Sequence, residues 1–221
     1  MEDMQFLSKN EAVFQLLRRQ IITGELEKGK KYSATELSIL LNVSRTPVNY
    51  AIRLLEEQSL ITVYPNVGFE VKPLEWVKVE ELMDIKCQME KLALKRIILS
   101  ASNEQILGLR VMNENIRLAI EQNNARKYYS STQQFHFEIH RLANTQLCLD
   151  YLEKYWDYEG WYAVKTAENK HALLEICDEH EQAIQLLLAR DTKASYELSE
   201  EHSVNCLNLL KLNIEKVFTV E

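Results

Sequence analysis

A change of hydrophobic period near Ser59 constrains this chain more than any other feature. Upstream of it, apolar residues recur at helical spacing: Val13, Leu16, Leu17 and Ile21, then Leu37, Leu40 and Leu41, then Val48, Ile52 and Leu55. Downstream, Ile61 and Val63 alternate with Thr62 and Tyr64. Pro65-Asn66 offers a turn, and Phe69 and Val71 alternate with Glu70 and Lys72. Spacing near 3.6 lines one face of a helix, whereas spacing of two lines one face of a strand. Three short helices and a hairpin are therefore predicted, in the order of a winged helix-turn-helix.

Local signals mark the element ends. Ser8-Lys9-Asn10-Glu11 and Ser33-Ala34-Thr35-Glu36 both carry the capping-box pattern, hydroxyl first and carboxylate three residues later. Gly24 and Asn42 are placed to stop the first and second helices. Ser44 is expected to cap the third, where Pro47 falls in the first turn and its missing N–H costs nothing.

The charge distribution decides what such a module does. The chain carries a net charge of −7, yet residues 1–74 hold 9 basic and 9 acidic side chains and are neutral. From Lys28 to Arg53 there are five basic residues, Lys28, Lys30, Lys31, Arg45 and Arg53, against Glu36 alone. No acidic residue occurs from Val43 to Leu55. The acidic whole argues against nonspecific coating of nucleic acid, but the local positive segment can still meet phosphates. A third helix entering the major groove N-terminus first offers Arg45 to a phosphate or guanine edge and Asn49 to a base edge. Ser44 and Thr46 then face phosphates.

The stretch from Ile21 to Val71 resembles the winged-helix domain of GntR-family bacterial transcription regulators. Gly24-Leu26-Gly29, the run Val43 to Val48 (VSRTPV) and the wing glycine Gly68 carry the likeness. The resemblance implies DNA contact at Thr35, Ser44, Arg45, Thr46, Asn49 and Gly68. Members usually have arginine at the positions of Thr35 and Asn49, and often a basic residue near Val67. Fewer phosphate-neutralising side chains imply weaker, less salt-sensitive binding and an atypical operator.

Pro73 marks the expected boundary between residues 1–73 and residues 74–221. The second part repeats helical stripes throughout. Leu82, Ile85, Met89, Leu92 and Ala93 form one; Ile106, Leu109, Met112, Ile116 and Ile120 another; then Phe135, Ile139 and Leu142. Leu173, Ile176, Cys177, Ile184 and Leu187 follow, then Val204, Leu207, Leu210 and Ile214. Short connections between six or seven helices predict an all-α antiparallel bundle, so the fold class is mainly α. Four widely spaced cysteines without a CxxC read as reduced thiols. A charged N-terminus and the lack of a long apolar run point to a cytoplasmic protein with no membrane segment.

Three of the five histidines fall on apolar faces: His136, His180 and His202. His180 and His202 flank an expected turn at Arg190-Asp191 almost equally, which sets them level on neighbouring antiparallel helices. Three convergent imidazoles suit Zn²⁺ or another first-row divalent ion and leave a position for water or a ligand oxygen. Three separately hydrogen-bonded core histidines fit the same spacing. His140, one turn past His136, completes an HxxxH pair. Six aromatics between Tyr151 and Tyr162 suit either a pocket wall or a dimer contact.

This half is similar to the FCD ligand-binding domain found in one large GntR subfamily, in its shorter, six-helix form. There one aspartate in a D-x-x-F-H pattern and three histidines hold a metal. Here the histidine places are His136, His180 and His202, and Thr132 stands at the aspartate place. Losing the charged ligand weakens the site for hard cations such as Mn²⁺ and moves it toward Zn²⁺. Lys86 stands where the family tends to have arginine; Lys86 and Thr132 are the candidate effector-binding residues. The resemblance implies a homodimeric repressor on double-stranded operator DNA, released by a small organic acid such as a sugar acid or dicarboxylate. A metal-responsive regulator is the alternative. A three-histidine metalloenzyme is a third reading, which leaves the winged helix unexplained.

Overall fold

A computed structural model describes residues 8–22, 24–72, 76–153, 156 and 169–218, with side chains assigned up to Leu212. The chain divides into two compact units, Met1–Leu74 and Glu75–Glu221.

In the first unit, α1 (Lys9–Ile22), β1 (Lys31–Tyr32), α2 (Ala34–Leu40) and α3 (Arg45–Glu57) precede β2 (Ile61–Tyr64) and β3 (Gly68–Val71). The capping box at α2 forms in full: Ser33 N donates to Glu36 Oε2, and Glu36 N donates to Ser33 Oγ. At α1 only half of it forms. Glu11 N donates to Ser8 Oγ, while the Glu11 carboxylate accepts from Gln15 instead. Asn42 adopts φ +50 and ends α2, as its side chain tolerates the left-handed region. Ser44 occupies the cap position of α3, but its hydroxyl makes no capping hydrogen bond; Pro47 at the third helical position has no N–H to offer it.

The hairpin is antiparallel, with Val63 opposite Phe69 and Tyr64 opposite Gly68. The two-residue β1 adds to its other edge, giving the order β1-β3-β2. Such a short strand leaves no period to read in the sequence. The core gathers Val13, Leu17 and Ile21 from α1, Leu37 from α2, Val48, Ala51 and Leu55 from α3, and Ile61, Phe69 and Val71 from the sheet. Leu40, expected inside, is exposed.

The second unit is helical: α4 (Trp76–Ser100), α5 (Asn103–Glu121), α6 (Ala125–Leu142), α7 (described over 146–153), α8 (Lys170–Leu188) and α9 (Thr192–Phe218). Residues Asn123, Asn144 and Arg190 take positive φ where α5, α6 and α8 end. Helix α5 packs on α6 and α8, and α9 packs on α4 and α8. Arg190 ties the end of α8 to the end of α4. Its guanidinium donates to Ile98 O and Ala101 O at the helix end, to Ile97 O, which also accepts from Ala101 N, and to Asn103 Oδ1.

The stripes of α5 and α8 pack as expected, but that of α4 is out of phase. Its inner face is Val79, Met83, Lys86, Cys87, Glu90, Ala93, Leu94 and Ile97; Leu92 is exposed. Two charged residues sit on that face because their partners lie inside the bundle. On α9, Val204 is exposed, while Leu198, His202, Leu209 and Leu210 are buried. Tyr155, Tyr158, Trp161 and Tyr162 of the aromatic segment lie outside the described residues.

Candidate functional site

The first unit presents one polar face. Ser44, Arg45, Thr46 and Asn49 are all exposed at the start of α3, whose first turn holds no acidic side chain. Thr35 is exposed on α2. Nearby, Lys31 lies over the Tyr64 ring, and Arg53 lies over Tyr50 with Glu57 4.0 Å away. Gly68 has a backbone reason to be glycine. It takes φ +140, and a Cβ there would stand 2.2 Å from Tyr32 O. Only a residue without a side chain lets β3 close on β1 at this point.

In the second unit, α6, α8 and α9 bring His136, His180 and His202 together. All three are buried, and their candidate ligand atoms lie within 4.8 Å of one another. The ring centroids are 5.4 Å apart for His136 and His180, 4.9 Å for His180 and His202, and 6.1 Å for His136 and His202. Phe135 stacks on His180 at 4.4 Å and fixes the plane of that ring.

Each imidazole is held through Nδ1. Asn113 donates from Nδ2 to Cys177 O at 2.8 Å, which turns its Oδ1 toward His180 Nδ1 at 3.1 Å. The proton of His180 therefore sits on Nδ1, and Nε2 keeps its lone pair, buried and without a hydrogen-bond partner. His202 Nδ1 lies 2.7 Å from Glu179 Oε2, whose other oxygen accepts from Asn205. His136 Nδ1 lies 2.5 Å from Glu90 Oε1 on α4, off the angle of an ordinary hydrogen bond. An acceptor behind each ring leaves the three Nε2 atoms for the space between them, the arrangement that orients histidine ligands at metal sites.

The electrostatics separate the three rings. Burial pushes the His136 imidazole down to about 4, with Lys86 adding to the effect and Glu90 opposing it. Burial and the neighbouring histidines hold His180 well below the usual imidazole range as well, so both rings are neutral at pH 7. Glu90 is lowered: burial favours its neutral form, but His136 and Lys86 outweigh that. With His136 neutral, Lys86 is the cation that balances it. Burial also works against charge on His202, yet Cys206, Glu179 and Glu90 together raise it to about 10, so in the absence of an ion this ring is an imidazolium and would have to give up its Nε2 proton to serve as a ligand.

A cavity of about 60 Å³ opens beside the cluster, lined among others by Lys86, Tyr129, Thr132, Trp156, Cys206 and the three histidines. Lys86 Nζ lies over the Trp156 ring at 4.7 Å. Thr132 is half-buried, its Oγ1 donating to Tyr128 O at 2.9 Å. His140 stays apart from the cluster. It is fully buried, with Nδ1 2.9 Å from Thr145 Oγ1, and the Thr145 hydroxyl donates to His140 O. Of the acidic residues near the histidines in sequence, Glu179 enters the site, while Glu138 pairs with Arg141 and Glu201 is exposed.

Glu90, Asn113 and Cys206 belong to this centre and were not singled out from the sequence. Asn113 had a signal: one amide in the apolar stripe Leu109, Asn113, Ile116. Glu90 had a weaker one, standing four residues after Lys86.

The comparisons agree with both halves. The family described as bacterial regulatory proteins, gntR family, matches residues 9–71, and the FCD domain matches residues 81–205. The HTH-type transcriptional repressor RspR of Escherichia coli K12 is 28% identical over 144 residues, which span 65% of this chain and 63% of the repressor. The gluconate operon transcriptional repressor of Bacillus subtilis 168 is 23% identical over 184 residues, 79% of this chain and 74% of that one. The solved structure of E. coli McbR/YncC shares the fold with a TM-score of 0.78 at 19% identity, covering 95% of this chain and all of that one. Both matched families and the named repressors are those of transcription regulators, so the chain is read as a regulator and not as a metalloenzyme. With the FCD match alone spanning more than half of its length, the chain belongs to the GntR family of bacterial transcription regulators, in the branch whose winged helix-turn-helix is followed by an FCD domain.

Proposed function

We propose that this protein is a repressor that holds its operator as a homodimer and leaves it when a small organic acid binds in the helical unit. The observation that carries the reading is one cavity lined both by the three clustered histidines and by Lys86. An acid's carboxylate pairs with Lys86, whose stem is packed and whose charge is already desolvated, so the pairing is stronger than at a surface. A water needs about 10–15 Å³ of such space, so about 60 Å³ favours a compact acid over a bulky one. Tyr129 and Trp156 line the same cavity and supply its apolar walls.

His136, His180 and His202 would hold a divalent ion. Nitrogen donors without a charged oxygen favour Zn²⁺ over Mn²⁺ or Mg²⁺. Asn113, Glu179 and Glu90 fix the rings from behind, and the buried, unpartnered His180 Nε2 fits that use. When bound, the ion supplies a fixed positive charge beside Lys86 that strengthens attraction for an anion.

On DNA, Arg45 reads a guanine edge or phosphate and Asn49 a base edge, while Ser44, Thr46 and Thr35 meet phosphates. Two copies set their α3 helices about 34 Å apart on a two-fold operator. The acid acts by binding more tightly to a dimer geometry that does not fit this spacing. Transcription takes place in the cytoplasm, and among the described residues no helix is long and apolar enough to cross a membrane.

The test is an operator-binding titration with Zn²⁺ and with candidate acids, separately and together. An acid that lowers affinity only in the presence of intact Lys86 supports the reading. A change driven by Zn²⁺ alone replaces it with a metal sensor. His180→Ala is expected to remove most bound metal from the purified protein; unchanged metal content by elemental analysis refutes the three-histidine site.

A further inference from the structure

Thr132 lines the cavity, but its hydroxyl is committed to the Tyr128 carbonyl and carries no charge. One turn past His202 on α9, Cys206 lines the same cavity, with Sγ 3.6 Å from His202 Nε2. We propose that Cys206 is the fourth ligand of the histidine site, its thiolate supplying the negative charge that Thr132 lacks, so that the resident ion is a thiophilic one such as Zn²⁺. The proposal rests on the three-histidine reading above.

Three observations converge on it. A tetrahedral ion bonded to sulfur at about 2.3 Å and to nitrogen at about 2.0–2.1 Å sets a sulfur–nitrogen edge of about 3.5–3.6 Å. The separation between Cys206 Sγ and His202 Nε2, one turn apart on α9, matches that edge, and rotation of the Cys206 side chain is what would carry the sulfur toward the other two rings. Next, His180 Nε2 is buried with no hydrogen-bond partner on the wall of the same cavity, a donor whose desolvation is otherwise uncompensated. Finally, a divalent ion on three neutral imidazoles would stand close to the buried Lys86 cation with its charge unreduced. A thiolate halves that charge, and Glu179 and Glu90 behind the rings offset the remainder. On coordination the Cys206 S–H bond breaks, the sulfur–metal bond forms and the proton leaves to solvent; no oxidant or reductant takes part.

The ligand set has a consequence for the effector. Four protein ligands close a tetrahedral ion, so an incoming acid meets Lys86 beside the ion instead of bonding to the ion itself.

The experiment is titration of the metal-free, full-length protein with Co²⁺, followed optically, with wild type, Cys206→Ser and His180→Ala. Wild type is expected to develop a near-ultraviolet thiolate-to-cobalt band. Cys206→Ser is expected to lack the band and to bind Zn²⁺ at least about 100-fold more weakly in a chelator competition, more than loss of an outer hydrogen bond costs. Wild type that binds Co²⁺ without the band, with unchanged Zn²⁺ affinity in Cys206→Ser, overturns the cysteine ligand and leaves the three histidines standing. Failure to bind Co²⁺, or binding indifferent to His180→Ala, overturns both. Because the band is read first in the wild-type protein, a Cys206→Ser variant that misfolded would not hide the answer.

Discussion

Replacing Asn113 with leucine tests the histidine site without touching a ligand. Asn113 is almost completely buried, and its amide links Cys177 O to His180 Nδ1. Leucine keeps the branched heavy-atom skeleton and removes both bonds. Cys177 O lies inside α8 and keeps its place in the helix ladder, so the exposed loss is at His180. Its Nδ1–H becomes a buried donor without an acceptor, at a cost of about 1–3 kcal/mol. The ring can avoid that cost by moving the proton to Nε2, which then has no lone pair for an ion. Either way the penalty falls on the metal-bound state, which requires the Nδ1–H tautomer. At about 1.4 kcal/mol per factor of ten, Asn113→Leu is expected to weaken Zn²⁺ binding about 5- to 150-fold. Asn113→Asp returns an acceptor to His180 Nδ1 and is expected to recover most of the loss. The assay is competition with a chelating dye, with circular dichroism confirming the helical unit in each variant. A folded leucine variant that binds Zn²⁺ as tightly as wild type, or equal affinities for leucine and aspartate, refutes the orienting role of this amide.

Further expectations follow from other parts of the molecule. Arg45→Ala should remove specific operator binding, losing at least about 1–3 kcal/mol of discrimination at one base; a normal footprint from this variant would disprove its assignment. Gly68→Ala forces a side chain into φ +140 and against Tyr32 O, costing about 2–5 kcal/mol from backbone strain and overpacking combined. Thermal unfolding should show it as a lowered transition of the N-terminal unit with metal content unchanged, and an unaltered melt would contradict the clash. Arg190→Ala strips hydrogen bonds from Ile97, Ile98 and Ala101 carbonyls and puts alanine at φ +58. A loss of about 2–4 kcal/mol by urea denaturation is expected; less than about 0.5 kcal/mol, the range of an ordinary surface change, would mean that water replaces the guanidinium. Lys86→Met should abolish calorimetric binding of small acids while Zn²⁺ content stays the same, and retained acid binding would move the effector elsewhere.

Much of the fold was legible in the residues because its signals are local. Ser33 and Glu36 cap α2 through atoms three residues apart, Asn42 and Gly24 stop helices through their own backbone freedom, and the period of two over Ile61–Val71 is a hairpin. The three metal-candidate histidines were legible too, since apolar faces of known helices meet inside a bundle. The stripe assigned to α4 shows where this reasoning ends. Leu82, Ile85, Met89 and Leu92 form a plausible apolar face by spacing, yet the helix turns Lys86 and Glu90 inward. The two charges are worth burying only because His136 and Trp156, from other helices, wait for them. No single-helix pattern contains that information.

The amino-acid sequence by itself determined the order of the helices and the hairpin, the acid-free α3 and the histidines' presence on buried faces, because each follows from interactions spanning a few residues. Tertiary structure alone decided what stands behind and beside those histidines. Asn113 is 67 residues from His180, and Glu179 is 23 from His202. Hydrogen bonds and ligand bonds act over about 3 Å, so residues far apart along the chain acquire a shared chemistry only after packing has fixed where each helix points.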